Sequence, residues 1–497
     1  MMGFMPLAVS SPPRVMNRKK FISTFREFGD FNMTTKTRTT SQKITPPSVS
    51  ELRALFNGKV IAPDDSRYEA VRTPFYGGMD KHPTAIVRVA DAGDVSRLVS
   101  LAREYGFELA IRSGGHSNAG HSTSEGGIVL DLSAMKQLEI DHENQTAWVE
   151  TGMTAGEYTN AVGAHGFVTG FGDTSSVGLG GITLGGGVGY LVRKYGLTID
   201  NLLAAEVVTA DGQLLHVDEN SHADVFWAIR GGGGNFGVAT RFKFKLHKLD
   251  KGYGGMLVLP ATADAIASFL AEADSAPDEL STILNVMPAP PMPFLSEDVH
   301  GKLILFAMMF YAGDAQMGEQ VMSQFRAIAI PYADMLRPMA YSEMFPPEEG
   351  GDYHPVAAGR TMFLDHVDSS VAQFMLDRLQ SSTAMMAVTQ LRVLGGAFAR
   401  VPADATAFAH RGSKIMANLA ALYANPEEKD HHEAWVSKYE SDLRQKDKGA
   451  YVNFLGAVDK EQVRAAYPGD TWEKLSEIKK KYDPTNLFRL NQNIPPK

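Results

Sequence analysis

Cysteine is absent from the chain. Its absence removes disulfides, thiolate metal sites and cysteine nucleophiles together. Long apolar runs are missing as well, since no stretch approaches the roughly 18 uninterrupted apolar residues that a membrane helix needs. The GxxxxGK[ST] loop of nucleotide kinases and ATPases does not occur, and no GxSxG elbow supports a serine hydrolase. Basic residues are outnumbered: 48 Lys and Arg stand against 57 Asp and Glu, a net charge of −9. A chain of that sign is not expected to bind nucleic acid, whose phosphates are held by basic surfaces. Metal binding has one apparent candidate, His431-His432-Glu433, but adjacent side chains on a helix point about 100° apart and do not converge. The expectation there is a solvated helix face and no metal.

What is present is the composition of a large globular enzyme. Hydrophobic residues make up 44% and charged residues 21%, enough apolar material for a packed core. The 497 residues exceed what one core usually supports, so two or three domains are expected. Near the amino terminus the apolar residues 4–9 include Pro6, and Arg18-Lys19-Lys20 follow them instead of preceding them. That order is the reverse of a secretory signal, and a cytoplasmic location is the expectation. Residues 1–47, rich in Ser, Thr, Pro and Lys, read as a disordered extension, with Met33 a second candidate start.

Glycine is concentrated in three places. The first is Ile111-Arg112-Ser113-Gly114-Gly115-His116-Ser117, the second runs from Val177 to Tyr190, and the third is Arg230-Gly231-Gly232-Gly233-Gly234-Asn235-Phe236-Gly237. Adjacent glycines let backbone N–H groups converge on an anion, and three such loops in one region suggest an extended dinucleotide. A Rossmann site is the obvious rival. It fails on context, because the second loop follows Asp173-Thr174-Ser175-Ser176 instead of an apolar strand, and its glycines do not keep the GxGxxG order.

Periodicity outlines the remaining organisation. Short apolar runs at residues 85–89, 107–111, 127–132 and 147–150 read as strands, with a helix over 92–102, so His116 is expected between two strands of one sheet. From about residue 247 to 450 the texture changes to methionine-rich, longer elements. Residues 302–310 and 388–394 read as buried strands, and period 2 puts Gln390 and Arg392 on one face. The methionines read as core filler. Asp470-Thr471-Trp472-Glu473 has capping-box spacing and opens a helix that Pro484 closes.

The three loops, the run Arg193-Lys194-Tyr195-Gly196-Leu197-Thr198-Ile199-Asp200-Asn201 and the closing Tyr482-Asp483-Pro484-Thr485-Asn486-Leu487-Phe488-Arg489-Leu490-Asn491-Gln492-Asn493 together resemble flavoproteins of the vanillyl-alcohol oxidase type. More narrowly, they resemble the berberine-bridge-enzyme-like oxidases with a PCMH-type FAD-binding domain. The resemblance implies an α+β fold in three parts. These are a two-part FAD-binding domain at 48–247, a substrate domain at 248–449 with an antiparallel sheet covered by helices, and a segment at 450–497 that returns to the FAD domain. It implies that His116 carries FAD through a covalent bond to the flavin 8α carbon. A second bond from cysteine, present in many members, has no counterpart: the matching position is Thr174. The chain therefore resembles the mono-covalent branch, which includes the 6-hydroxy-D-nicotine oxidases. FAD contacts are implied for Arg112, Ser113, Gly114, Gly115 and Ser117, for Thr174, Gly178, Gly181, Gly186 and Gly187, and for Val238, Asn453, Asn491 and Asn493.

The expected chemistry is abstraction of hydride from an alcohol, amine or other activated C–H of a small organic molecule, with dioxygen as the final acceptor and hydrogen peroxide as product. A dehydrogenase using another acceptor, or a flavoprotein that cyclises its substrate without net oxidation, are the alternatives. Tyr451 in Ala450-Tyr451-Val452-Asn453-Phe454 matches the family's Tyr-x-Asn-Tyr segment and is the candidate base, or else a packed tyrosine that positions substrate. A free tyrosine has a pKa of about 10, so a base near neutrality needs a neighbouring cation, for which Arg392 is the candidate. Val177 matches the family position beside the approach of dioxygen. The partners implied are a small-molecule substrate and dioxygen, with the protein a monomer or homodimer.

Overall fold

Apolar runs too short for helices build the first layer. The computed structural model describes residues 46–56, 59–346 and 354–497. The disordered extension expected at 1–47 lies outside the described residues as far as residue 45, as does the candidate start Met33. Strands Ala85–Arg88, Ile128–Asp131 and Leu109–Arg112 run parallel, with Ile128–Asp131 in the centre and Val60–Ile61 added antiparallel at one edge. Every residue of Ile128–Asp131 is buried, as a parallel strand covered on both faces requires. Helix Ala92–Tyr105 makes the crossover, started by the Asp91 side chain accepting from the Asp94 N–H. It buries Val95, Leu98, Val99 and Ala102, the spacing of one helical face. His116 therefore leaves the end of one strand, and the chain returns through that strand's immediate neighbour.

The run at 147–150 is a strand, Thr146–Glu150, but it belongs to a second sheet. That sheet has five antiparallel strands in the order Leu138–Asp141, Thr146–Glu150, Val238–Lys245, Leu202–Val208, Leu214–Asp218. Its aromatic core includes Tyr158, Phe171 and Phe244, packed edge to face.

The methionine-rich region forms a larger antiparallel sheet. Its order is Ala333–Asp334, Gly252–Pro260, Leu303–Tyr311, Leu280–Pro288, Met386–Val393, Ile415–Tyr423, Val356–Leu364, with Arg337–Met339 also on Gly252–Pro260. Helices Ala263–Ser275, Ala315–Arg326, Ser369–Gln380 and Lys429–Leu443 cover one face, through side chains such as Phe269, Phe325, Met375 and Tyr439. Met309, Met322, Met362 and Met375 are fully buried in this core. The opposite face carries Gln390 and Arg392 toward the glycine loops.

Two local expectations are corrected. Helix Thr471–Tyr482 forms, but Asp470 already has helical φ/ψ and makes no side-chain cap bond, while Glu473 pairs with Arg464 instead. His431-His432-Glu433 is not simply a solvated face. His432 is buried and stacked on Tyr423 at 4.8 Å, because it is the inward residue of its helix, while Glu433 pairs with Arg360. Among the described residues no cluster of His, Asp and Glu forms a metal site, and no helix is long and apolar enough to cross a membrane.

Candidate active site

Two glycine loops touch because neither has side chains in the way. A Cβ on Gly114 would stand 2.2 Å from the Gly178 nitrogen, and one on Gly178 would meet Gly114 N at 2.1 Å. Ser113 ties them further, its Oγ donating to the Thr151 carbonyl at 2.6 Å and accepting from the Gly180 N–H at 3.2 Å. The second loop is also laid along residues 151–156, with the Ala155 N–H bonded to the Val177 carbonyl at 2.8 Å and the Leu179 N–H to Met153 at 2.9 Å. Several loop N–H groups are therefore already committed to the backbone.

Around this contact lies a cavity of about 480 Å³, within the usual range for ligand pockets. His116, Gly114 and Thr174 line it, as do Ser113, Gly115 and Ser117. So do Val177, Gly178, Gly181, Val238, Asn453 and Asn491. Tyr451 and Arg392 reach the same cavity from segments far along the chain. The imidazole of His116 is fixed there, with Nε2 2.8 Å from Ser176 Oγ and the ring stacked on Phe75 at 4.0 Å.

Residues 83–218 match the FAD binding domain family, and residues 450–495 match the berberine and berberine-like family. Over 459 residues the chain is 31% identical to the FAD-linked oxidoreductase YvdP of Bacillus subtilis (strain 168), covering 88% of this chain and 98% of the relative. The chain belongs to the berberine-bridge-enzyme-like FAD-linked oxidoreductases. It is also 28% identical over 460 residues to (R)-6-hydroxynicotine oxidase of Paenarthrobacter nicotinovorans, covering 88% and 97% of the two chains. The crystal structure of 6-hydroxy-D-nicotine oxidase from Arthrobacter nicotinovorans superposes with a TM-score of 0.78 at 26% identity, over 88% of this chain and 98% of that one.

The cavity of this oxidoreductase suits FAD on its own chemistry. Gly181 and Gly234 line it with nothing within 4 Å of where a Cβ would sit, so bare backbone faces the space. At the C-terminal tail, Asn491 lines it and has a buried Oδ1 without a protein partner, a position open to a ligand donor.

Five residues expected to contact cofactor or substrate do not line the cavity. The buried Arg112 guanidinium donates to the carbonyls of Val71, of Arg72 at 3.1 Å and of Ser122 at 2.9 Å, so it anchors the loop from behind. Gln390 donates to Asn285 at 2.9 Å and accepts from Arg392 at 2.8 Å. Asn493 keeps a buried Oδ1 without a protein partner, outside the cavity lining. Gly186 and Gly187 form the turn behind Tyr451. Gly187 has φ +78, and a Cβ there would lie 1.9 Å from Thr198 Oγ1.

Tyr451 is buried, and its oxygen accepts the Gly187 N–H at 2.8 Å and the Asn453 Nδ2–H at 3.0 Å. The Asn453 orientation follows from Nδ2 also donating to the Ile182 carbonyl at 3.1 Å. With both acceptor positions of the phenol filled, its own proton is directed elsewhere. Burial pushes the Tyr451 pKa up, offset by the Gly187 N–H, Asn453 and the Arg392 charge. The expectation that Arg392 would favour phenolate is thus met only as a lesser effect. Arg392 is already paired, with Nη2 2.6 Å from Asp173 Oδ2, and it also donates to the Val188 carbonyl at 2.6 Å. Phe454, which lacks the hydroxyl of the family pattern, lies under the Arg392 guanidinium at 5.1 Å and edge-on to Tyr451 at 5.1 Å.

Sequence reading missed Phe75, Tyr76, His121, Asp173 and Ser176. All but Ser176 line the cavity. Burial, with the Asp173 charge, pushes the Tyr76 pKa up to about 12, and burial with Lys81 nearby takes His121 down to about 4. The signal for Asp173 was a carboxylate one position before Thr174. Nothing local marks its partner, which lies 219 residues away.

Proposed function

We propose that the protein is an oxidase that removes two electrons from an alcohol, amine or other activated C–H of a small organic molecule and passes them to dioxygen. The observation that carries this reading is one cavity lined by His116, Val177 and Tyr451 in a chain of the FAD-linked oxidoreductase family. Bound FAD supplies the two-electron acceptor, and its reoxidation by dioxygen yields hydrogen peroxide.

The chain's own residues have separate tasks in this reading. His116, oriented by Ser176 and Phe75, holds the cofactor covalently and alone, since Thr174 occupies the place of the second, cysteine link. Tyr451 takes the substrate proton, its oxygen held in line by Gly187 and Asn453. The Phe454 ring beside it excludes water. Val177 leaves room for dioxygen. Asn491 and the glycine backbones hold the remainder of the cofactor. The division into 48–247, 248–449 and 450–497 is supported by the sheets: strands of the four- and five-stranded sheets fall between residues 60 and 245 and those of the large sheet between 252 and 423, with the short pair of His247–Lys248 and Phe167–Val168 at the boundary.

Anaerobic mixing with candidate alcohols, sugars, cyclic amines and phenols tests the reading. A true substrate bleaches the flavin, and air restores its colour rapidly with release of peroxide. Bleaching with slow recovery in air assigns a dehydrogenase instead. A flavin that no candidate bleaches removes the redox assignment.

A further inference from the structure

Asp173 lies at the cavity wall and has no role in the reading above. Its Oδ2 is 2.6 Å from Arg392 Nη2, with the Arg392 side chain 3% exposed and that of Asp173 23% exposed. Asp173 Oδ1 accepts from Thr174 Oγ1 at 3.3 Å. Arg392 does not depend on this carboxylate for its place. Gln390 Oε1 accepts from its Nε at 3.2 Å and from its Nη2 at 2.8 Å, and the Val188 carbonyl accepts from Nη1 at 2.6 Å. Gln390 is in turn held by Asn285 at 2.9 Å.

Val188 follows Gly187, whose N–H reaches the Tyr451 oxygen. Arg392 thus braces the turn that presents this donor, and its guanidinium also covers Phe454, the ring packed edge-on to Tyr451. Toward Tyr451 the glycine turn offers the Gly187 N–H, the tyrosine's own segment offers Asn453 and Phe454, and Phe408 presents a ring at 6.0 Å. The large sheet contributes Arg392 and the loop before Thr174 contributes Asp173, the two charged groups that act on the Tyr451 hydroxyl. Tyr190, neutral and buried, feels the same pair.

We propose that Asp173 is a positioning residue that compensates the Arg392 charge and so sets the pH at which the Tyr451 hydroxyl gives up its proton. This rests on the reading of Tyr451 as the proton acceptor. An opposite charge close to an acid favours its ionised form, and a compensated one does so less. Asp173 therefore holds Tyr451 protonated until substrate or alkaline pH alters the balance.

Asp173→Asn is the direct test, because an amide oxygen still accepts from Arg392 while the negative charge is gone. With Gln390 and Val188 keeping the guanidinium in place, the midpoint of the pH profile for flavin reduction should fall by about 1 unit. Arg392→Met, which leaves Asp173 uncompensated, should move it the other way, so one well-folded variant of the two is enough. Asp173→Glu should restore the original midpoint. A readout independent of turnover is the ultraviolet difference titration of tyrosinate, each variant measured against its own Tyr451→Phe form. An unmoved midpoint in either variant that folds would overturn the proposal. If Tyr451→Phe leaves reduction unslowed, the proton-acceptor reading fails instead, while the tyrosinate titration still decides whether Asp173 sets the ionisation of Tyr451.

Discussion

The Tyr451 oxygen and the Gly187 amide nitrogen are 2.8 Å apart across 264 residues of sequence. That bond joins the C-terminal segment to the glycine turn behind the cavity wall. It also makes the geometry of the phenol depend on a position that tolerates no side chain, since a Cβ on Gly187 would strike Thr198.

Tyr451→Phe removes one hydroxyl and little volume, so flavin content should stay close to that of the parent, while loss of the acceptor for the buried Gly187 N–H should cost about 1–3 kcal/mol of stability. Reduction by substrate should slow by about 10²- to 10⁴-fold, the usual worth of a general base. The pH dependence has a definite sign. Burial raises the Tyr451 pKa above its ordinary value, and a base works only when deprotonated, so the reduction rate of the parent should climb toward alkaline pH. Stopped-flow reduction across pH checks both points, and a flat profile identical in the variant would assign Tyr451 to packing.

His116 should carry FAD covalently. After acid precipitation the pellet stays yellow and the denatured band fluoresces, whereas His116→Ala releases its flavin to the supernatant. Ser176→Ala, which removes the hydroxyl 2.8 Å from Nε2, should slow the appearance of covalent flavin in protein made without cofactor and then mixed with it. Flavin freed from the parent by acid contradicts the assignment.

Val177→Leu adds one methylene. The Val177 carbonyl is braced by the Ala155 N–H, so the backbone is held and the added carbon projects into the cavity, where interiors leave little spare room. Reoxidation by air should slow far more than reduction by substrate. Rapid mixing of each half-reaction separates them. Equal effects on both would make Val177 an ordinary wall residue.

Lys479→Met should destabilise the fold by about 3–5 kcal/mol, the cost of leaving one half of a buried pair alone. Lys479 and Asp483 are fully buried with Nζ 2.7 Å from the carboxylate, and Nζ also donates to the carbonyls of Asn235 and Phe488 at 2.8 and 2.9 Å. Asn235 and Phe488 line the cavity, so flavin retention should fall with stability. Denaturant unfolding with and without added FAD measures both. Lys479→Met combined with Asp483→Asn should recover part of the loss, because the uncompensated charge is then gone while an amide oxygen still accepts a backbone N–H from the Leu487–Phe488 turn.

Local chemistry made much of this protein legible in advance. Glycine runs, the His116 loop and the closing Tyr482 to Asn493 motif are contiguous, so their meaning survives without a fold. Strand and helix positions followed from apolar spacing, which is set by the two backbone repeats. The capping reading at Asp470 failed because Asp470 is itself helical in backbone, something its residue type does not reveal. His432 was misjudged for a related reason: which side of a helix faces a sheet depends on what packs there.

The amino-acid sequence by itself determined the cofactor class, the absence of a cysteine link and the candidate attachment residue, since each depends on residue identity within a short window. Tertiary structure alone decided which candidates meet. It turned Arg112 toward backbone carbonyls, set Gln390 behind Arg392 and brought Asp173 to Arg392 across 219 residues. The physical reason is that an ionised pair or a shared hydrogen bond is a matter of a few ångströms between distant segments, and side-chain charge is compensated by whichever neighbour the packing supplies.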